Sequence, residues 1–246
     1  MTEQAAPRKN YRSMVLVLLT LVYGFNFIDR QIVGILAPFI QKDLGLTNTE
    51  LGLLIGLAFA TFYTLIAIPI AWLADRYSRV NILSIALAVW SGFTALTGLA
   101  TNFMQIGLAR MGVGIGEAGG SPPSHSIISD LYSKEERAGA LGVYSMGIPL
   151  GIMAAYFATA SLMGSSGEDV DWRRIFIFLG LTGIGLAVVV KLVLREPVRG
   201  AMELDVVKNI VKPPFKESLK TLLKIPAWWA MCFGIAFGSF VSYATS

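Results

Sequence analysis

Six stretches of about 20 mostly apolar residues recur along the chain, parted by short polar breaks. They run Met14–Leu36, Leu51–Leu73, Ile82–Thr101, Phe103–Ile128, Ala138–Leu162 and Ile175–Leu194, and a seventh begins at Ala227 and ends near Ser246. Lipid offers no partner to an unpaired backbone amide or carbonyl, so stretches of this length cross a bilayer as helices. The pattern predicts an all-α membrane protein in four parts. Residues 1–13 form a polar end, 14–194 a six-helix bundle, 195–226 a connector and 227–246 one further span.

The connector is basic, and its last part, PFKESLKTLLKIP, has a helical rhythm. Phe215, Leu219 and Leu222 fall on one stripe and Lys216, Lys220 and Lys224 on another. That is the pattern of an amphipathic helix lying on a membrane surface; a solvated connector is the plainer alternative.

Composition agrees with a membrane protein: 54% of the 246 residues are hydrophobic and 15% charged, with a mean hydropathy of +0.63, whereas soluble domains carry about 25% charged residues. The one cysteine, Cys232, sits in an apolar run and excludes a disulfide framework. The first apolar run is too long for a removable signal peptide and contains Asp29 and Arg30. The formal charge of +4 matters through its distribution. The N-terminus, the connections after the second and fourth spans, and the end of the sixth span (Lys191) with the segment after it hold 15 of the 20 lysines and arginines. The opposite side holds only Lys42, Arg173 and Arg174, beside Glu168, Asp169 and Asp171. The positive-inside rule therefore predicts a cytoplasmic N-terminus.

Four ionisable residues fall inside spans: Asp29 and Arg30 in the first, Arg110 and Glu117 in the fourth. Each opposes insertion by about 2.5–3.5 kcal/mol at a helix centre, while a Leu or Ile returns only about 0.3–0.6 kcal/mol. Such residues must pair and face protein or water, and they are the candidates for substrate binding and proton coupling. At about 1.5 Å per residue, Asp29 and Arg110 lie at matching depths, which makes them the expected ion pair. Glu117 lies about 10 Å deeper than Arg110 on the same helix face, leaving Arg30 and Glu117 to approach a central cavity. A purely structural salt network is the competing reading.

The stretch GVGIGEAGGSPPS contains G-x-G-x-x-G at Gly114, Gly116 and Gly119. It is no nucleotide signal, because that needs a strand before it. Small residues let membrane helices approach closely, and they also leave room for a ligand beside Glu117. Pro122, Pro123 and Pro149 are expected to break or kink their helices. His125, the only histidine, lies about 80° round the helix from Glu117; it is a candidate proton relay, with polar packing as the alternative. No metal-ligand cluster, cofactor motif or nucleophile–base pair is evident, so catalysis has no foothold and the expectation is a protein that is not an enzyme. The basic connector lacks the interleaved aromatics of a nucleic-acid face.

Two connections carry a family resemblance. AWLADRYSR, with Ala71, Asp75, Arg76 and Arg79, resembles the G-x-x-x-D-R-x-x-R signature of the major facilitator superfamily, with alanine in place of the usual glycine. SDLYSKEERAGA, with Asp130 and Arg137, is similar to its counterpart after the fourth span. Within the superfamily, NFIDRQIVGIL, RMGVGIGEAGGSPPSHSIISDLYS and GIPLG resemble the spinster family. The sugar-acid symporters share a similar D-R and G-x-G-E-A.

The resemblance implies a major facilitator fold, with two inverted three-helix repeats in the first bundle and a second bundle of which residues 227–246 are the first helix. It implies that Asp75, Arg76, Arg79, Asp130 and Arg137 form a cytoplasmic gate. It also implies secondary transport by alternating access in a plasma or bacterial inner membrane, coupled to protons. The expected substrate is an amphipathic anion of the lysophospholipid or sphingolipid class; sugar acids are the alternative, and a non-transporting receptor a more distant one.

Overall fold

The computed structural model describes residues 9–162, 170–202 and 214–244. Arg8, Glu168, Asp169, Lys208 and Lys212, which enter the charge count, lie outside them. The chain divides into two units, Met1–Asp205 and Val206–Ser246.

In the first unit, the first span is one helix, α1 (Lys9–Leu44), which extends past the apolar core at both ends and continues through Pro38. The second is α2 (Asn48–Gly52), a π-turn at Leu53–Leu57 and α3 (Ala58–Ala74). The third, α4 (Arg79–Thr97), ends four residues before the expected Thr101. The fourth is broken into α5 (Phe103–Glu117) and α6 (Ser121–Leu131), the fifth into α7 (Lys134–Ser145) and α8 (Gly147–Leu162). The sixth is α9 (Trp172–Val193).

Helix starts follow from capping chemistry. Thr47, Ser78, Asn102, Ser133 and Asp171 each accept a backbone N–H from the first turn of the helix they precede, satisfying a donor that has no intrahelical partner. The break in the fourth span falls at Ala118–Gly120, and Pro122 and Pro123 stand in the first turn of α6, where proline's missing N–H leaves no hydrogen bond unmade. Among the described residues, five helices are long and apolar enough to cross a membrane; the fourth span is absent from that set because its pieces are 15 and 11 residues long.

Packing exposes the repeat. α4 lies along α9; α1 packs on α8 and α9; α5 packs on α3 and α4. Exchanging the first three spans for the last three maps these contacts onto themselves, the pattern of two inverted repeats. α1 and α8 meet at bare backbone: a Cβ on Gly151 would stand 2.2 Å from the Gly24 carbonyl oxygen. Gly151→Leu is expected to force these helices apart and destabilise the bundle by about 1–3 kcal/mol or more, read as a lower melting temperature in detergent. The fourth-span glycines serve the same end. A Cβ on Gly116 would meet the Trp90 backbone nitrogen at 2.6 Å, and one on Gly119 the Ala86 Cβ at 2.5 Å. Gly116 and Gly119 seat this span on α4, and Gly114 seats it on α3, where a Cβ would stand 2.9 Å from the Phe59 carbonyl oxygen; the space at all three is taken by neighbouring helices.

The second unit contains α10 (Phe215–Leu223) and α11 (Pro226–Ala244). The expected amphipathic segment is helical, and it bends by 79° into the apolar helix that follows.

Candidate functional site

Asp29 and Arg30 are neighbours on α1, so their side chains leave it about 100° apart and enter different surroundings. Asp29 points into the bundle and is fully buried. Arg110 Nη1, on α5, donates to Asp29 Oδ2 over 3.3 Å, and Thr94 Oγ1, on α4, donates to Oδ1 over 2.7 Å. Both carboxylate oxygens are thus bonded. The Arg110 guanidinium also lies 5.4 Å from the Phe59 ring centre. This is a closed knot joining the first, third and fourth spans.

Arg30 makes the second pair, its Nε donating to Glu117 Oε2 over 2.7 Å. Its guanidinium lies 4.6 Å from the Tyr63 ring centre, 5.0 Å from Phe59 and 5.4 Å from Phe27, within cation–π range. The Glu117 side chain is wholly buried, whereas that of Arg30 is 25% exposed. Glu117 Oε1 has no hydrogen-bond partner among the described residues, so one oxygen is left to accept a proton. Of the four intramembrane charges, only Arg30 opens outward to this degree; the other three are enclosed by helix packing. Phe25, on the same helix, is instead buried, in contact with the Gly183 position of α9. His125 is exposed, its ring edge-on to Tyr144 at 5.2 Å. Tyr144 stacks on Tyr23 of α1.

At the end of the bundle that holds the loop between α3 and α4, Arg79 is almost fully buried and forms the centre of a network. It pairs with Asp130 of α6 and, through Nε, with Glu196 Oε1 at 2.7 Å. It also donates to Ser126 Oγ at 2.8 Å and to the Pro197 carbonyl at 2.9 Å. Arg199 donates to the carbonyls of Ala74, Asp75 and Tyr77, and the Gly200 amide to Asp130 Oδ1. Arg76 lies over Trp72 at 3.9 Å, and Arg137 donates to the Ser129 carbonyl. The structure therefore joins Arg79 and Asp130 directly and places Asp75, Arg76 and Arg137 around them.

Burial acts to raise the Glu196 carboxyl, but the Val80 amide, Arg79 and Ser78 outweigh it and hold it below the usual carboxylate range. A depressed carboxyl contributes stability above its unfolded pKa and loses it as pH falls through the folded value, so this network is intact at neutral pH and loosens in acid.

Glu196, Arg199, Thr94 and Tyr63 were not legible as site residues. Glu196 and Arg199 sit in a stretch that reads as a solvated basic connector, and the one signal was an acidic residue inside that basic run. Thr94 and Tyr63 are single polar groups in apolar spans, with no spacing to mark them.

Residues 19–246 match the Major Facilitator Superfamily. A solved bacterial homolog of the human lysosomal transporter spinster, inward-facing and unoccupied, is 39% identical with a TM-score of 0.80, over 96% of this chain and 54% of that one. Protein spinster homolog 1 of Xenopus laevis is 29% identical over 240 residues, 96% of this chain and 45% of that protein. The probable L-galactonate transporter of Escherichia coli (strain K12) is 31% identical over 180 residues, 73% of this chain and 39% of that protein. The chain thus spans less than half the length of these two curated relatives. With a family match running from residue 19 to residue 246 and a spinster-like likeness over nearly all of it, the chain belongs to the Major Facilitator Superfamily of multi-pass membrane transporters.

Proposed function

We propose that this chain carries the substrate- and proton-handling bundle of a secondary active transporter that works by alternating access and moves an amphipathic anion of the lysophospholipid or sphingolipid class. The observation that carries this reading is the Arg30–Glu117 pair, a part-open guanidinium bonded to a carboxylate shut away from water. Protonating Glu117 discharges the pair and frees the Arg30 fork, which bonds two oxygens of a phosphate or carboxylate at once. Phe27, Phe59 and Tyr63 around that cation suit the apolar part of the substrate next to its headgroup. Asp29, Arg110 and Thr94 hold the spans in register and fix the field at the site. His125 is the candidate relay for protons leaving Glu117.

At the far end, Arg79 and Asp130 with Asp75, Arg76 and Arg137 act as the cytoplasmic gate, closing against a second six-helix bundle. The excess of lysine and arginine on that side supports a cytoplasmic N-terminus in a plasma or bacterial inner membrane. The second reading, a proton-coupled symporter of small sugar acids, is favoured by the likeness to the probable L-galactonate transporter.

A ligand screen in detergent separates the two. A ligand that binds the native state at 100 times its Kd stabilises it by about 2.7 kcal/mol. Lysophospholipids are expected to raise the melting temperature by several degrees and sugar acids to leave it unchanged. The reverse result assigns the site to small organic anions.

A further inference from the structure

The second unit holds a surface that the transport site does not use. α11 carries no charged side chain from Pro226 to Ala244, so in a membrane protein of this superfamily it runs into hydrocarbon. α10 ends at Leu223, and after Lys224 and Ile225 the chain enters α11, bent from α10 by 79°. Trp229 in the first turn of α11 fixes the corner. Its indole N–H donates to the Leu223 carbonyl over 3.0 Å, and the Trp228 ring meets it edge-on at 4.8 Å. Membrane helices tilt by about 20° from the bilayer normal, which leaves α10 within about 30° of the membrane plane. Tryptophans gather at the headgroup level of a bilayer, and this pair stands at the junction of the two helices. Connectivity therefore sets α10 at the bilayer surface, and the bend lays it along that surface.

Around α10 the side chains sort by angle. Phe215, Leu219, Leu222 and Leu223 fall within an arc of about 100°, and Leu222 and Leu223 are exposed. Lys216, Lys220 and Lys224, all exposed, occupy the adjoining arc of about 80°. Among the described residues none of the three is in an ion pair. Glu217, the one acid of the helix, stands about 170° from the middle of the apolar arc. On the remaining flank Ser218 and Thr221 turn their hydroxyls back to the carbonyls of Pro214 and Glu217. With the leucines toward the bilayer, the lysine stems run along its surface with their ammonium groups at phosphate level, and Glu217 faces water.

We propose that α10 docks on the bilayer and selects anionic phospholipid, its leucines among the upper acyl chains and Lys216, Lys220 and Lys224 on the headgroup phosphates. The hydrophobic rhythm alone leaves a solvated connector as an alternative. The bend and the tryptophan corner supply the orientation, and the one-sided lysine flank supplies the choice of headgroup. Residues 215–225 hold three lysines and one glutamate, a net charge of +2. Each positive charge near an anionic surface favours the docked state about fivefold, so the two together favour it roughly 25-fold. The connector is thus anchored more tightly as the anionic lipid content of the membrane rises. This rests on the membrane embedding of the chain and not on the substrate reading at Arg30.

Amide hydrogen exchange of the purified protein in nanodiscs tests this, with discs of phosphatidylcholine alone or with added phosphatidylglycerol of identical chains. The amides of residues 215–225 are expected to exchange roughly 25-fold more slowly in the phosphatidylglycerol discs. Salt at about 1 M, which screens charges beyond about 3 Å, should remove the difference. The triple variant Lys216→Gln, Lys220→Gln and Lys224→Gln should exchange at one rate in both discs. Leu219→Asp with Leu222→Asp should exchange faster in both, while the amides of α4 and α9 stay as protected as in the wild type and report an intact bundle. Equal wild-type rates in the two discs, a difference that survives the triple substitution or the salt, or rates unmoved by the leucine substitutions overturns the proposal. Slow exchange indifferent to lipid charge and to salt also overturns it, and hands the apolar arc to a protein partner.

Discussion

Asp29→Ala is expected to destabilise the bundle by about 3–5 kcal/mol, the cost of leaving one member of a buried ion pair uncompensated. Arg110 is 2% exposed and loses the carboxylate it pairs with, and Thr94 is left with the Trp90 carbonyl as its acceptor. Arg110→Met alone strands Asp29 in the same way. The double variant Asp29→Ala with Arg110→Met should recover much of the loss, because no orphaned charge remains. Thr94→Val, which removes one hydrogen bond to a charged group, should cost about 1.5–3 kcal/mol. Melting temperatures of the four proteins in one detergent complete the cycle. Wild-type melting in Asp29→Ala would show that the pair is not a structural tie.

The second pair should behave in the opposite way. Arg30 already reaches solvent, and Glu117 left without it can take up a proton and become neutral, so Arg30→Ala should change stability little. Its cost should appear in ligand binding. Losing a charge-assisted contact worth about 1.5–3 kcal/mol weakens affinity for an anionic ligand roughly 10- to 100-fold. Binding of a fluorescent lysophospholipid, followed by anisotropy, measures this directly. Unchanged affinity in a stably folded Arg30→Ala protein would remove Arg30 from the binding site. Two adjacent residues on one helix are thus assigned separate duties, one of stability and one of recognition.

The span pattern was legible because crossing a bilayer demands apolar length, which a sequence displays directly. Depth arithmetic along α1 and α5 was enough to set Asp29 opposite Arg110. It did not set Arg30 opposite Glu117, because their backbones lie at different depths and the contact is made by a long arginine arm slanting between them. Side-chain reach is invisible to helical periodicity. The glycines of the fourth span were readable as close packing, but which neighbour each one meets depends on the interhelical register. The Arg79 network was half legible. Its loop residues form a local motif, while Glu196 and Arg199 arrive from more than a hundred residues away, and no local spacing marks a contact of that kind.

Glu117→Gln keeps the size of the side chain and its capacity to accept a hydrogen bond from Arg30, and removes only the charge. Reconstituted into liposomes, this variant should still exchange a fluorescent lysophospholipid across the membrane at equal pH on both sides. An imposed pH gradient should no longer drive its accumulation. Accumulation at the wild-type level with the wild-type pH dependence would contradict proton handling at Glu117.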